Sequence, residues 1–484
     1  MAGLRASAIS LGVANGLDAA LHFILPIALV RLLTVEHFGE YRLLWLAATS
    51  AMLFAPFGMP LSLQYFLPRN NERDRRAFID QTLMFMLTMA SIAALCFLPS
   101  SPLLPSTMKA LVESNGYLVS LFVLLWVTAS LLDVLPGALE KYRYQASFIV
   151  ILSLVRTIGV LLVAWYYHDV TKVVGFLTVF AIGKCVVLLV FRYSQTGTLA
   201  LRPSSVLWLQ QLRYALPFGI NGMLNKGRAA TEQWIVAILF TSGQFAVFSV
   251  AASIYPLLHV IKTSVNSVTV PKMSRLQLQG KTDRLLELNN KGNLAVSFLL
   301  YPVLAFLLVN AEQVVELLYT DSYSSAANIL RLYACSMSIM AIEIGSVLTV
   351  YQQGPYMMRT GMLMIVTTVV VAVSGGKMFG LVGVALGGFT AILVGTVRNY
   401  ARVVHITGTP FRKIQHWNTI AVIALAAGGG SMAAHAIGSS FTASQAAYVQ
   451  LATILALNII FYLVMLILFR QGWLLDQFRS TRNP

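Results

Sequence analysis

The feature that most constrains this 484-residue chain is a succession of fourteen predominantly apolar stretches, each about 20 residues long. In the first half they fall near 7–30, 41–67, 78–98, 116–139, 147–167 and 173–193. In the second half they fall near 214–240, 245–270, 293–310, 326–351, 360–376 and 379–398, with two more near 417–437 and 446–469. A helix rising about 1.5 Å per residue needs about 20 residues to cross a hydrocarbon core about 30 Å thick. Backbone groups in that core must be hydrogen-bonded within the segment, which selects helices. Composition agrees: 57% of residues are hydrophobic and 11% charged, where soluble domains carry about 25% charge. The expected fold is an all-α polytopic membrane protein with about 14 transmembrane helices. Disorder, a disulfide scaffold and an ordinary soluble enzyme are excluded.

Arg5 precedes an apolar run that continues to about Val30 with no A-x-A cleavage site at its end. Its length identifies a first membrane helix rather than a removed signal peptide. Cys96, Cys185 and Cys335 lie in apolar stretches without CxxC or CxxxC spacing, and read as small buried hydrophobes. Neither a metal nor another cofactor is expected.

The 34 Lys+Arg against 18 Asp+Glu give a formal +16. On a soluble chain that excess would suggest nucleic acid. Here the bases alternate from loop to loop. With the N-terminus cytoplasmic, the inner loops carry Arg69, Arg73, Arg75 and Arg76, then Lys141 and Arg143, then Arg192, Arg202 and Arg213. Further along come Lys272 to Lys291, Arg398 to Lys413 and the tail from Arg470, while one short outer loop holds Glu312, Glu316 and Asp321. This is the positive-inside pattern of an even number of spans with both termini cytoplasmic, and no nucleic-acid partner is implied.

Ala14-Asn15-Gly16-Leu17 recurs as Ile220-Asn221-Gly222-Met223, and Phe38-Gly39-Glu40-Tyr41 is echoed by Phe245-Ala246-Val247-Phe248. The two matches pair span 1 with span 7 and span 2 with span 8. Common span-start sequences could also produce them. Copies separated by an even number of spans share their orientation, so the expected domains are an N-lobe, 1–200, and a C-lobe, 201–402, related by a parallel repeat. Residues 403–484 add spans 13 and 14 and a cytoplasmic tail.

Charges inside a bilayer are costly and face a cavity or a partner. The spans hold the bases Arg156, Lys184, Lys226, Arg228 and Lys262 and the acids Asp18, Asp133, Glu232 and Glu343. Asn15, Asp18 and His22 share one face of span 1. Asn221, Asn225, Arg228 and Glu232 share a face of span 7, and Tyr255, His259, Lys262 and Asn266 share one of span 8. Three polar stripes imply a hydrated cavity. An internal Arg228–Glu232 ion pair and snorkelling of Asp133 and Lys184 are the structural alternatives. His22 and His259 could carry protons or simply pack, and the lone acid Glu343 suits a proton or coupling ion. Pro26, Pro56, Pro60, Pro136, Pro217 and Pro256 within or beside spans, with glycine-rich spans 11–13, suit helices that kink.

Several of these residues also carry a resemblance. Val30-Arg31-Leu32-Leu33 followed by Glu36-His37-Phe38-Gly39-Glu40-Tyr41 resembles the "aRlLgpeeFGxY" signature of bacterial polysaccharide-biosynthesis (O-antigen type) flippases. Phe57-Gly58-Met59-Pro60 with Tyr65 and Arg69, Tyr214 through Val236, and Leu317-Leu318-Tyr319 to Tyr323 are similar to later segments of that family. The family belongs to the multidrug/oligosaccharidyl-lipid/polysaccharide exporter superfamily. The resemblance implies two six-helix lobes plus two helices, alternating access, and location in the bacterial cytoplasmic (inner) membrane. It implies transport of undecaprenyl-diphosphate-linked oligosaccharide from inner to outer leaflet for lipopolysaccharide, O-antigen or exopolysaccharide synthesis, beside glycan polymerase and assembly proteins.

On that reading Arg228, Lys226, Arg156 and Lys262 contact the diphosphate, with Asn221, Asn225 and Asn15 on sugar hydroxyls. Asp18, Glu232 and Glu343 are the candidates for proton or sodium coupling. Lys226 and Arg228 stand about 160° apart around a helix, so one of them points away unless the helix unwinds. The family is known for a cationic cavity, yet five bases here face four acids. The rival readings are a multidrug exporter, a lipid II flippase, and a membrane glycosyltransferase or polymerase. Spans 13 and 14 count against the first. The absence of D-x-D, G-x-S-x-G, H-E-x-x-H and nucleotide-loop motifs counts against an enzyme.

Overall fold

The structure is a computed structural model. It describes residues 2–198, 200–253, 255–441 and 445–469, without the side chains of 2–9, 218, 221, 222, 224–226, 255–260 and 263. Every regular element among the described residues is a helix. Two compact units are present, Met1–Ser249 and Val250–Pro484.

The first unit starts with α1 (Ala2–Leu29), α2 (Val35–Phe54) and α3 (Met59–Phe66). Thr34 caps α2 by accepting from the His37 amide. The second predicted span covers both α2 and the following helix, and bends by 48° between them. Pro56 and Pro60 flank the bend, and Phe57 (φ 40°) and Gly58 (φ 75°) turn the chain through the left-handed region. α4 (Glu72–Leu95) is capped by Asn71, and Glu72 and Asp74 complement its N-terminal dipole.

After α5 (Ser106–Asn115) and α6 (Leu118–Ala129), a 3₁₀ turn over Ser130–Asp133 leads into the short α7 (Leu135–Ala138). The long α8 (Tyr142–Tyr167), α9 (Val170–Thr196) and α10 (Ser205–Leu239) follow, then α11 (Ser242–Ala252), within which the unit boundary falls. α1 packs on α8, α6 on α4 and α9, and α10 on α2, α3 and α4. Phe38, Phe78, Phe122, Phe245 and Phe248 are buried at the centre. A side chain on Gly39 of α2 would collide with the Ser242 carbonyl at the start of α11.

The second unit comprises α12 (Tyr255–Leu278), α13 (Thr282–Val309), α14 (Ala311–Tyr319), α15 (Ala326–Ala341) and α16 (Gly345–Val350). It continues with α17 (Gly354–Thr407), α18 (Phe411–Ile414), α19 (Trp417–Phe441) and α20 (Ala447–Leu468). α17 contains two predicted spans. Gly380 (φ 63°, ψ −144°) reverses the chain within it, so that Gly375 lies against Gly383, Ala372 against Gly387 and Met364 against Gly395. That pairing is an antiparallel hairpin, and glycine lets the two backbones approach closely. Met273, Leu285, Ile344, Val347, Tyr400 and Ile414 form a shared core. α19 and α20 pack on each other and on α13, where Asn458 donates to the Pro302 carbonyl (3.0 Å) and Tyr462 to that of Phe298 (3.0 Å).

Nine described helices are long and apolar enough to cross a membrane, or ten with the bent α2–α3 pair. The other expected spans fall on α10, with four charged residues, on the divided α11–α12 and α15–α16, and on the second arm of α17. The chain is an all-α, multi-pass membrane protein. The compact division at 249/250 puts α10 with the helices it packs against.

Candidate functional site

The four acids placed inside the membrane are all ion-paired. Asp18 on α1 accepts from Arg156 on α8 at 3.3 Å, and Asp133 in the 3₁₀ turn accepts from Lys184 on α9 at 2.9 Å. Glu232 accepts from Arg228 one turn earlier on α10 at 2.5 Å, and Glu343 from Lys262 on α12 at 2.8 Å. Four of the five bases are thereby committed. Lys226, with Asn221 and Asn225, has its side chain outside the described residues, as do His259 and Tyr255. Asn15 is exposed on α1, one turn before Asp18.

The pairs differ in what remains unsatisfied. In the first unit α2 presents Arg42, Trp45 and Thr49 at i, i+3, i+7 along the wall of a cavity of about 210 Å³. His22 and Pro26 of α1, Tyr41 of α2, Arg156 of α8 and Gln233 of α10 complete that wall. Arg156 is 6% exposed, and its guanidinium lies 5.8 Å from the Trp45 ring. Its Nε has no hydrogen-bond partner. Trp45 is held edge-on against Trp126 (4.9 Å between centroids) and His22 (6.3 Å). Arg42 Nη2 reaches the Ser249 carbonyl at 3.5 Å. Buried donors without acceptors are costly, and an anion entering this pocket would supply the acceptors.

A second cavity of about 600 Å³ shares Leu46, Thr49 and Gln233 with the first. Its walls are mostly apolar, with Ser130 and Asp133 as polar exceptions. Lys184, the partner of Asp133, also lies 5.1 Å from the Trp126 ring centroid.

In the second unit Glu343 sits where predicted span 10 is broken between α15 and α16. Besides Lys262, its carboxylate accepts from Asn266 (3.0 Å) and Ser346 (3.2 Å). Its backbone carbonyl accepts from Asn289 (3.0 Å) and Asn293 (2.7 Å), and its amide donates to Asn293 (3.2 Å). Irregular backbone at membrane depth is tolerated where its polar groups are met in this way.

The residues that sequence reasoning missed are Arg42, Trp45 and Gln233 in the cavity, and the Asp80–Arg192 pair (2.6 Å). The i, i+3, i+7 spacing of Arg42, Trp45 and Thr49 is the same signal that singled out span 1. Arg42 escaped because it lies at the first turn of its predicted span. The cysteines are free and half-buried rather than fully buried. No cluster of three or more His, Cys, Asp or Glu residues suited to a metal occurs among the described residues.

Solved structures place the fold. A lipid II flippase, MurJ, in an inward closed conformation is 14% identical, with 96% of this chain and 99% of that chain covered at a TM-score of 0.72. An inward-facing multidrug resistance MATE family transporter of the MOP superfamily is 14% identical over 83% of this chain and 99% of its own, at 0.57. A MOP superfamily transporter from Pyrococcus furiosus is 12% identical over 84% and 96%, at 0.51. The chain therefore has the polytopic fold of MurJ and the MATE transporters. No curated protein matches the sequence. The sequence profile described as "Polysaccharide biosynthesis protein" matches residues 4–277, more than half of the chain. The protein belongs to that family.

Proposed function

We propose that this protein is a flippase of the bacterial cytoplasmic membrane, with both termini cytoplasmic. It moves undecaprenyl-diphosphate-linked oligosaccharide from the inner to the outer leaflet by alternating access between an N-lobe, 1–200, and a C-lobe, 201–402. The observation that carries the reading is the cavity between α1, α2 and α8, where the buried Arg156 keeps an unpartnered Nε beside Arg42 and Trp45. A diphosphate must shed its hydration to cross about 30 Å of hydrocarbon. Guanidinium groups replace that hydration with charge-assisted hydrogen bonds in a fork that fits phosphate oxygens.

Asp18 holds Arg156 in place and offsets its charge while the site is empty, which limits the cost of a buried cation. Arg228, Lys226 and Lys262 are further candidate contacts for the diphosphate, Asn15, Asn221 and Asn225 are candidates for sugar hydroxyls, and Gln233 lines both cavities of the first unit. Asp18, Glu232 and Glu343 are the groups that would take a proton or sodium ion when an anion draws a base away. Glycan polymerase and assembly enzymes would consume the product in the outer leaflet.

The test is export of the surface glycan in a deletion strain carrying wild-type, Arg156→Ala or Arg228→Ala protein at matched membrane levels. Loss of polymer, with lipid-linked oligosaccharide accumulating on the cytoplasmic side, is the expected outcome. Wild-type polymer in both variants would overturn the assignment. The likeness to MurJ favours one second reading, flipping of lipid II, which presents the same diphosphate. Rescue of a lipid II flippase depletion by this protein would establish that reading instead.

A further inference from the structure

The first unit holds a third cavity of about 410 Å³, bounded by α2, α4 and the segment 96–104 that follows α4, with Trp234 of α10 at its floor. Its lining is apolar apart from Ser50, which receives a hydrogen bond from Trp234 Nε1 (2.8 Å). Phe54, Ile92 and Leu103 line it and are 53%, 51% and 74% exposed. On a multi-pass membrane protein such apolar exposure faces lipid chains. The only residue lining both this groove and the 600 Å³ cavity, among the described residues, is Phe57.

Phe57 is also where the backbone of span 2 breaks. Its φ of 40° is strained for a side chain of that bulk, and Gly58 follows at 75°. Neighbouring contacts hold the conformation: Gly58 and Gly219 approach so closely that a side chain on either would strike the other's backbone region, and the Phe57 ring packs edge-on against Phe85 (6.5 Å). The first unit thus contains, in order, a cationic pocket at Arg42 and Arg156, an apolar cavity sharing three residues with it, and a lipid-facing groove beyond Phe57. From Arg42 to Phe54, the last residue of α2, is about 18 Å of helix, and Phe57 follows three residues on in the turn.

We propose that the groove between α2 and α4 seats the isoprenoid chain of the lipid whose diphosphate occupies the Arg156 pocket, and that the Phe57 ring is the partition between groove and cavity. The occupant follows from the sequence of surfaces: an anion site leading through apolar walls to a lipid-exposed apolar groove complements an anionic head on a long hydrocarbon chain. A site for a soluble anion needs no such continuation. The inference rests on the flippase reading, and its test reads binding rather than export.

The photo-reactive residue p-benzoylphenylalanine is placed at Ile92 and, in a second variant, at Phe54, so that failure of one to fold leaves the other. A control carries it at Val366, an exposed apolar position of α17. Each protein is reconstituted in phosphatidylethanolamine/phosphatidylglycerol vesicles with trace radiolabelled undecaprenyl phosphate and irradiated. Labelling at 92 or 54 several-fold above 366, competed by unlabelled undecaprenyl phosphate and not by added phosphatidylglycerol, is the expected result. Equal labelling at all positions, or competition by phosphatidylglycerol, overturns it and makes the groove a crevice for any chain in the bilayer. Export lost in Arg156→Ala without selective isoprenoid labelling would sink the groove and spare the flippase reading. Selective labelling with export intact in Arg156→Ala would overturn the link between the groove and the Arg156 pocket and leave the groove as an isoprenoid site.

Discussion

Two arginine–aspartate pairs in the first unit are chemically alike and placed to opposite effect. Arg192 and Asp80 are each 2% exposed and 2.6 Å apart. Arg192 also donates to the carbonyls of Thr198 (3.2 Å) and Ala200 (3.1 Å), and Asp80 accepts from the Arg202 amide (2.9 Å). Arg156 and Asp18 are 3.3 Å apart, the aspartate is 36% exposed, and the arginine retains a buried Nε with no acceptor beside an open cavity. The first pair fastens the chain that leads into α10 against α4 and α9. The second leaves capacity to bind something else. Hydrogen-bond saturation distinguishes a fastening from a site, and charge alone does not.

The largest expected effect is on the fastening. Arg192→Ala strands Asp80 in the interior and is expected to cost about 3–5 kcal/mol. Thermal unfolding in detergent should show a large drop in Tm or no folded protein, and near-wild-type Tm would break the comparison. Next comes the site. Arg156→Ala should leave Tm within a few degrees while weakening binding of inorganic pyrophosphate by roughly tenfold or more, as for a lost charge-assisted hydrogen bond. Titration calorimetry on purified protein decides it, and unchanged affinity would remove Arg156 from the anion site.

Gly219→Ala probes the scaffold beneath both. The added methyl meets the Phe57 backbone, and overpacking of this kind costs about 1–3 kcal/mol. A Tm equal to wild type would mean that α10 shifts freely at this crossing. Glu343→Gln sharpens the rule in the second unit, because its hydrogen bonds can persist while the charge is lost. A modest loss of stability and a change in the pH or sodium dependence of transport in vesicles are expected. Unchanged ion dependence would make Glu343 a fastening like Asp80. The smallest effect is Trp45→Phe, which keeps an aromatic ring beside Arg156 but trims its edge-on contact with Trp126; a slightly lower pyrophosphate affinity and a small drop in Tm are expected.

The same contrast explains which features could be read from the chain alone. The apolar stretches gave the polytopic helical fold directly, because length and hydropathy are local properties. The polar stripes on spans 1 and 7 were visible as i, i+3, i+4 and i+7 spacings, and three of their members, Asp18, Arg228 and Glu232, are in ion pairs. The pairing of Arg228 with Glu232 lies within one helix and was legible as an alternative. Arg156–Asp18 and Lys262–Glu343 join residues 138 and 81 positions apart, and spacing says nothing about partners at that distance. Arg192 reads from the sequence as an inner-loop base, since burial at the end of a helix depends on neighbouring helices.

The sequence by itself determined that this chain crosses a membrane repeatedly, which stretches are helical, and that a few charges are retained where the bilayer disfavours them. Those conclusions need only the cost of placing each residue in hydrocarbon, which is a sum over local segments. The tertiary structure decided which charge meets which, that Arg42 and Trp45 share a wall with Arg156, and that every nitrogen of Arg192 is bonded while Arg156 keeps a buried Nε without an acceptor. Such properties depend on distances between residues far apart in the chain, which only the packing of the helices fixes.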